Sequence, residues 1–134
     1  MKNDVFFDTN ILVYLGSADP KRAALSFDLV RSGGVISVQV LNEYVSVVRG
    51  KYRLPWDKVR MGLEGAKAVC KVVPLSVETH DRGIVLAERY QLGVYDAMIV
   101  AAAQLAGCTI LYTEDMQDGQ VIDGLKIRNP YHLA

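Results

Sequence analysis

Short apolar runs alternate with helical segments along this chain, and that alternation restricts its fold more than any other feature. Residues 5–7, 35–36, 72–75 and 109–112 read as strands, with a last one at 125–128 before Asn129-Pro130. Helices with recognisable ends stand between them. Residues 11–15 look helical, and Asp19-Pro20 is an N-cap followed by a proline at the first helical position. That second helix is predicted to reach about Arg31 and to stop at Gly33-Gly34. Ser37 caps a helix in which Leu41, Tyr44, Val45 and Val48 share one face. Further helices are expected over 57–69, 79–90 and 96–106, the last ended by Gly107. Strands alternating with helices define an α/β domain with a mainly parallel central sheet. Pro74 puts the third strand at a sheet edge, because proline cannot donate to a ladder.

Size and composition agree. A chain of 134 residues, 51% hydrophobic and 22% charged, is expected to form one domain, 1–134, without repeat or linker. At this length folding buries roughly two-thirds of the surface the unfolded chain exposes. Disorder is excluded by the apolar content. The 15 basic residues cancel the 15 acidic ones, which excludes a polycation that coats nucleic acid by bulk charge. The cancellation hides a segregation. Residues 90–125 hold Asp96, Glu114, Asp115, Asp118 and Asp123 and no Lys or Arg. Residues 47–60 hold Arg49, Lys51, Arg53, Lys58 and Arg60 against Asp57 alone, with Tyr52 and Trp56 interleaved. That pattern suits an RNA-backbone face with stacking aromatics, centred on Arg49, Lys51 and Arg53. It suits equally well solvated helix ends with Trp56 in a core or interface.

The first residues lack the charged and apolar regions of a signal peptide, and the apolar run at 97–112 is too short to span a bilayer. No membrane association is expected, and the location expected is the cytoplasm. Cys70 and Cys108 lie among apolar neighbours and are expected to be reduced core residues. His80 and His132 match no metal or triad spacing.

Ligands of open parallel sheets bind beyond the carboxyl ends of the strands, where strand order reverses. Asp8 follows the first strand directly, and Glu114 and Asp115 follow the fourth after Thr113. Asp96 opens the helix leading into that strand, and Glu43 lies mid-helix after the second. Carboxylates converging there repel unless a cation neutralises them or their pKa values rise. Oxygen-only ligation suits Mg²⁺ or Mn²⁺. Each residue also has a simpler reading. Asp8, Asp96 and Asp115 are all placed to cap helices or turns, and helical periodicity alone puts Glu43 on a solvated face.

Four segments resemble the PIN domain of the VapC-type toxin ribonucleases, and together they extend from end to end of the chain. Val5-Phe6-Phe7-Asp8-Thr9-Asn10-Ile11-Leu12 is similar to the family's opening strand and Asp-Thr-Asn signature. Ser37-Val38-Gln39-Val40-Leu41-Asn42-Glu43 resembles the segment that brings a glutamate to the acidic site. Tyr95-Asp96-Ala97 opens an Ala-rich helix like the family's, and Leu111-Tyr112-Thr113-Glu114-Asp115 resembles its Thr-x-Asp strand end. The resemblance implies a three-layer fold whose sheet has the order 3-2-1-4-5. It implies Asp8, Glu43, Asp96 and Asp115 as catalytic, metal-binding acids, with Glu114 or Asp118 as substitutes or supporting groups at the fourth position. Thr9 or Asn10, Ser37 and Thr113 would orient carboxylates and water.

The activity so implied is hydrolysis of RNA phosphodiesters with one or two Mg²⁺ or Mn²⁺ ions, by a homodimeric toxin inhibited by a small antitoxin. A non-catalytic PIN-like module that binds RNA or protein is the alternative. A phosphoryl-transfer receiver domain would need an aspartate after the third strand, where Leu75-Ser76-Val77 stands.

Overall fold

The computed structural model describes residues 3–132. Its elements run β1 (Val5–Phe7), α1 (Thr9–Tyr14), α2 (Pro20–Arg31), β2 (Gly34–Ser37), α3 (Val38–Gly50), α4 (Trp56–Val69), β3 (Cys70–Val73), α5 (Val77–Tyr90), α6 (Val94–Leu105), β4 (Ile110–Tyr112), β5 (Val121–Ile122) and β6 (Leu125–Arg128). The sheet has the order β3-β2-β1-β4-β6-β5. Every pairing is parallel except that of β5 with β6. The five strands expected from the sequence therefore take the order 3-2-1-4-5, and β5 is an addition beyond the fifth.

That addition is a hairpin. Asp123 and Gly124 both have positive φ, 45° and 87°, which two-residue turns need to match the twist of the strands they join. Glycine adopts such φ freely.

Local chemistry sets the other ends. Asp19 caps α2 by accepting from the amides of Lys21 and Arg22, ahead of Pro20 at the first helical position. Ser76 and Thr79 form a reciprocal capping box that starts α5 at Val77, two residues before the expected start. β3 begins at Cys70 rather than residue 72, so Pro74 falls just past an edge strand instead of within it.

The core lies along β1, β2, β4 and β6. Phe6, Phe7, Ile36, Leu111 and Ile127 are almost completely enclosed there. In α6 every residue from 97 to 103 is buried, as expected of a helix that is apolar all round. Its alanines and the glycine opposite keep that helix close to its neighbours: a Cβ on Gly83 of α5 would stand 2.6 Å from Met98 Sδ. Each large apolar side chain so enclosed contributes about 1.5–3 kcal/mol. Cys70 and Cys108 are buried and unbridged, as expected, and burial pushes both thiols up to about 11. No helix among the described residues is long and apolar enough to cross a membrane.

Candidate active site

Parallel pairing of β1 with β4 aligns Phe7 with Tyr112, so the next residue of each strand, Asp8 and Thr113, emerges side by side at the carboxyl edge of the sheet. The Asp8 amide donates to the Tyr112 carbonyl at 3.0 Å, continuing the ladder by one bond. Asp8 then caps α1. Its Oδ1 accepts from the Thr9 amide at 2.6 Å, and its Oδ2 accepts from the Thr113 hydroxyl at 2.8 Å. The carboxylate is only 3% exposed. Burial pushes its pKa up to about 7, and the charges of Asp115 and Asp96 add to the rise. The hydrogen bonds from Thr113 and Thr9 pull the other way and do not offset it.

Thr113 is fully buried and serves several partners at once. While donating to Asp8, its oxygen accepts from the Asp115 amide at 3.1 Å and from Asn10 Nδ2 at 3.4 Å. Asn10 Nδ2 also donates to Asp115 Oδ2 at 2.9 Å, which aims that exposed carboxylate towards α1. Asn10 Oδ1 is buried with no partner.

Glu43 comes to the same place because α3 packs on α1, where the Thr9 hydroxyl donates to Glu43 Oε2 at 2.9 Å. This corrects the solvated position that helical periodicity gives Glu43; the residue is half-buried. Asp96 lies in the first turn of α6, whose N-cap is Gly93, so it does not cap its helix as the simpler reading had it. Its pKa is raised by burial first, then by the charges of Asp115 and Glu43.

Asp8, Glu43, Asp96 and Asp115 thus line one open cleft of ≈ 370 Å³, with Thr9, Asn10, Glu114 and Lys51 on its walls. Among the described residues none of the four acids pairs with a Lys or Arg.

The other candidates fall elsewhere. Ser37 is completely buried, and its hydroxyl caps α3 at the Val40 amide; it fixes where α3 starts and does not line the cleft. Glu114 reaches the cleft wall, but its carboxylate is held by the Tyr14 hydroxyl and by Arg22 Nη1 at 2.7 Å. Burial and this bond push the Tyr14 phenol up to about 12. Asp118 turns away, accepting from the Asn129 amide at 2.9 Å and contacting His132 Nδ1 at 3.0 Å. These two contacts hold its carboxyl below the usual range. It lines a separate hollow with Tyr112, Lys126 and Arg128.

In the basic segment Lys51 and Tyr52 border the cleft, whereas Arg49 lies over the Trp56 ring at 4.6 Å and donates to the Leu54 carbonyl. Arg53 is exposed, with φ 54°. Tyr14 and Arg22 are residues of the site that the sequence motifs do not mark. Tyr14 stands one helical turn past Asn10, which placed it on the same side of α1; for Arg22 there was no comparable signal.

Four acids without cationic partners, two of them (Asp8 and Asp96) with pKa values raised by burial, form an incomplete electrostatic arrangement. Among the described residues no three carboxylates come close enough to enclose a bare ion. The donor set is all oxygen, and the cleft has room for several waters at about 30 Å³ each. It therefore suits a hard divalent cation that keeps part of its hydration shell. The unpartnered Asn10 Oδ1 adds one more acceptor beside it.

An open α/β sheet with carboxylates gathered beyond the ends of two adjacent parallel strands defines a class of acidic, cation-binding sites at a strand-order switch. Residues 5–117 match the PIN domain family, and the chain belongs to that family. A search of curated proteins finds no significant match.

Among solved structures, the chain is similar to a toxin-antitoxin complex from Klebsiella pneumoniae. The two are 27% identical over 96% of this chain and 98% of the other, with a TM-score of 0.71. A DNA-bound VapBC from Salmonella typhimurium shares 21% identity over 95% of this chain and 98% of its own, with a TM-score of 0.70. A sarcin-ricin loop cleaving VapC toxin of Mycobacterium tuberculosis shares 17% identity over 84% and 90%, with a TM-score of 0.64. The last two likenesses are of fold.

Proposed function

We propose that this chain is a metal-dependent ribonuclease and the toxin of a toxin–antitoxin pair, acting in the cytoplasm on RNA phosphodiester bonds. The observation that carries the reading is the meeting of Asp8, Glu43, Asp96 and Asp115 in one cleft without a cationic partner. Membership of the PIN family and likeness to toxin–antitoxin complexes support it.

Asp8, Asp96 and Asp115 would hold Mg²⁺ or Mn²⁺, directly or through water, and Glu43 would join them or accept the proton of the attacking water. Bound there, one ion or two would supply an activated water and neutralise charge on the phosphoryl group. The chain's own part is positioning. Thr113 and the Thr9 amide fix both oxygens of Asp8, Thr9 Oγ1 fixes Glu43, and Asn10 fixes Asp115. Lys51 at the cleft edge would hold a backbone phosphate and Tyr52 would stack a base. Arg49 and Arg53 would add to the surrounding positive field.

The partner we propose is a small antitoxin, with the toxin itself a homodimer. An apolar hollow of ≈ 670 Å³ adjoins the cleft through Val13, Tyr14 and Tyr52 and would seat an apolar antitoxin segment.

The deciding experiment incubates the purified protein with a panel of RNAs in Mn²⁺ and in EDTA, beside Asp8→Asn. Cleavage in Mn²⁺ alone, lost in the variant with the fold intact, is the expected result. Metal-independent RNA binding without cleavage would overturn the assignment in favour of a binding module.

A further inference from the structure

Both oxygens of the Glu114 carboxylate are occupied at the cleft wall: Oε1 by the Tyr14 hydroxyl, beside it on that wall, and Oε2 at 2.7 Å by Nη1 of Arg22, which does not line the cleft. Glu114 stands between Thr113, which holds Asp8, and Asp115, so one short backbone segment sets all three side chains. Arg22 reaches it from α2, and its guanidinium is itself confined. It lies 4.8 Å from the centre of the Tyr14 ring and 4.9 Å from that of Tyr131. Those rings meet edge to face at 5.0 Å, and the Tyr131 hydroxyl shares a 2.6 Å hydrogen bond with buried Ser26. A planar guanidinium can stack and donate in this way at once, which an ammonium cannot.

Without Arg22, Glu114 would be a fifth unpaired carboxylate at the cleft wall. It would raise the repulsion on Asp8 and Asp115 and compete with Asp115 for a cation.

We infer that Arg22 is a positioning residue for the proposed nuclease: it neutralises Glu114 at the cleft wall and leaves Asp115 as the cleft acid after β4 without a cationic partner, beside Asp8 and Asp96. The inference rests on the metal-dependent reading above. Its signature is that the damage done by losing Arg22 passes through the charge of Glu114, and is repaired by removing that charge. A residue that merely braced α2 would not behave so.

The test compares wild type, Arg22→Met, which keeps an unbranched apolar stem without the charge, and Arg22→Met with Glu114→Gln. Tyr14→Phe, which removes a single hydroxyl, serves as a second route should the arginine variants fold poorly. Mn²⁺ binding is measured by calorimetry and paramagnetic resonance, RNA cleavage as separate kcat and KM, and folding by thermal melts.

Arg22→Met is expected to change Mn²⁺ affinity and to lower kcat about tenfold or more with KM little altered. The double variant should return both to within about threefold of wild type, because the two positions are coupled. Tyr14→Phe should shift Mn²⁺ affinity in the same direction by less. Unchanged Mn²⁺ affinity and kcat in folded Arg22→Met, or a folded double variant no better than the single, overturns the inference; so does an unshifted Tyr14→Phe where the arginine variants do not fold. If wild type binds Mn²⁺ but cleaves no RNA, the nuclease reading falls while the Mn²⁺ measurements still decide the role of Arg22. Absence of Mn²⁺ binding by wild type overturns both.

Discussion

The Thr113 hydroxyl donates to the Asp8 carboxylate at 2.8 Å, both groups almost fully buried and each the first residue past its strand. This bond ties β1 to β4 at the point where the acids gather. Thr113→Val keeps the shape but removes the donor to Asp8 and the acceptor of the Asp115 amide. Stability should fall by about 1–3 kcal/mol in urea unfolding, and Mn²⁺-dependent cleavage should fall with it. Thr113→Ser should retain most of both. Wild-type behaviour from the valine variant would show that the hydroxyl is dispensable.

Asp8 governs the response of the metal-free protein to pH. Unfolded, its carboxyl ionises near 3.9; folded, burial holds the proton up to about 7. Between those values the native state binds more protons, so stability is greatest at low pH and declines as pH rises to 7. Each unit of difference is about 1.4 kcal/mol. Urea unfolding in EDTA at pH 5 and pH 8 should show wild type losing stability at the higher pH, and Asp8→Asn losing much less. Equal slopes for the two proteins would show that Asp8 is not the group responsible.

Asp115 and Asp118 should separate cleanly. Asp115→Asn is expected to abolish Mn²⁺-dependent cleavage of RNA. Asp118→Asn should leave it unchanged, since that carboxylate serves Asn129 and His132 outside the cleft. The comparison needs only initial rates at saturating Mn²⁺, and a reversed order would move the fourth acid to Asp118.

The two thiols should be inert while the chain is folded. Cys70 and Cys108 are buried, and burial raises both to about 11, whereas unfolded thiols ionise near 8.5. The native state therefore holds extra protons between those values, and stability should decline as pH rises from about 8.5 towards 11. A thiol-specific dye at pH 8 should react at the rate of unfolding; instant reaction in native buffer would contradict the burial.

Much of this architecture is legible in the chain itself: short apolar runs alternating with capped helices give a mainly parallel α/β sheet, while the strand order came only with the resemblance to the PIN family. The short β5 escaped notice although Asp123-Gly124 between apolar pairs is a strong hairpin signal. Glu43 was harder for a physical reason. Periodicity reports which face of a helix is apolar, and α3 receives α1 on a flank that is partly polar, where Thr9 meets Glu43. Arg22 lay beyond such reasoning altogether, since it acts on a residue 92 positions away and no local pattern encodes that contact.

The two borders of the sheet carry a consequence for how copies of the chain can meet. One is closed by the two-residue β5, and the other is β3, with Pro74 immediately beyond it. Strands so short or so interrupted offer few free backbone groups for a further strand to pair with. Continuous sheets and domain-swapped ribbons are thereby disfavoured, and self-association is directed to the helical faces, which can part again without unzipping a ladder.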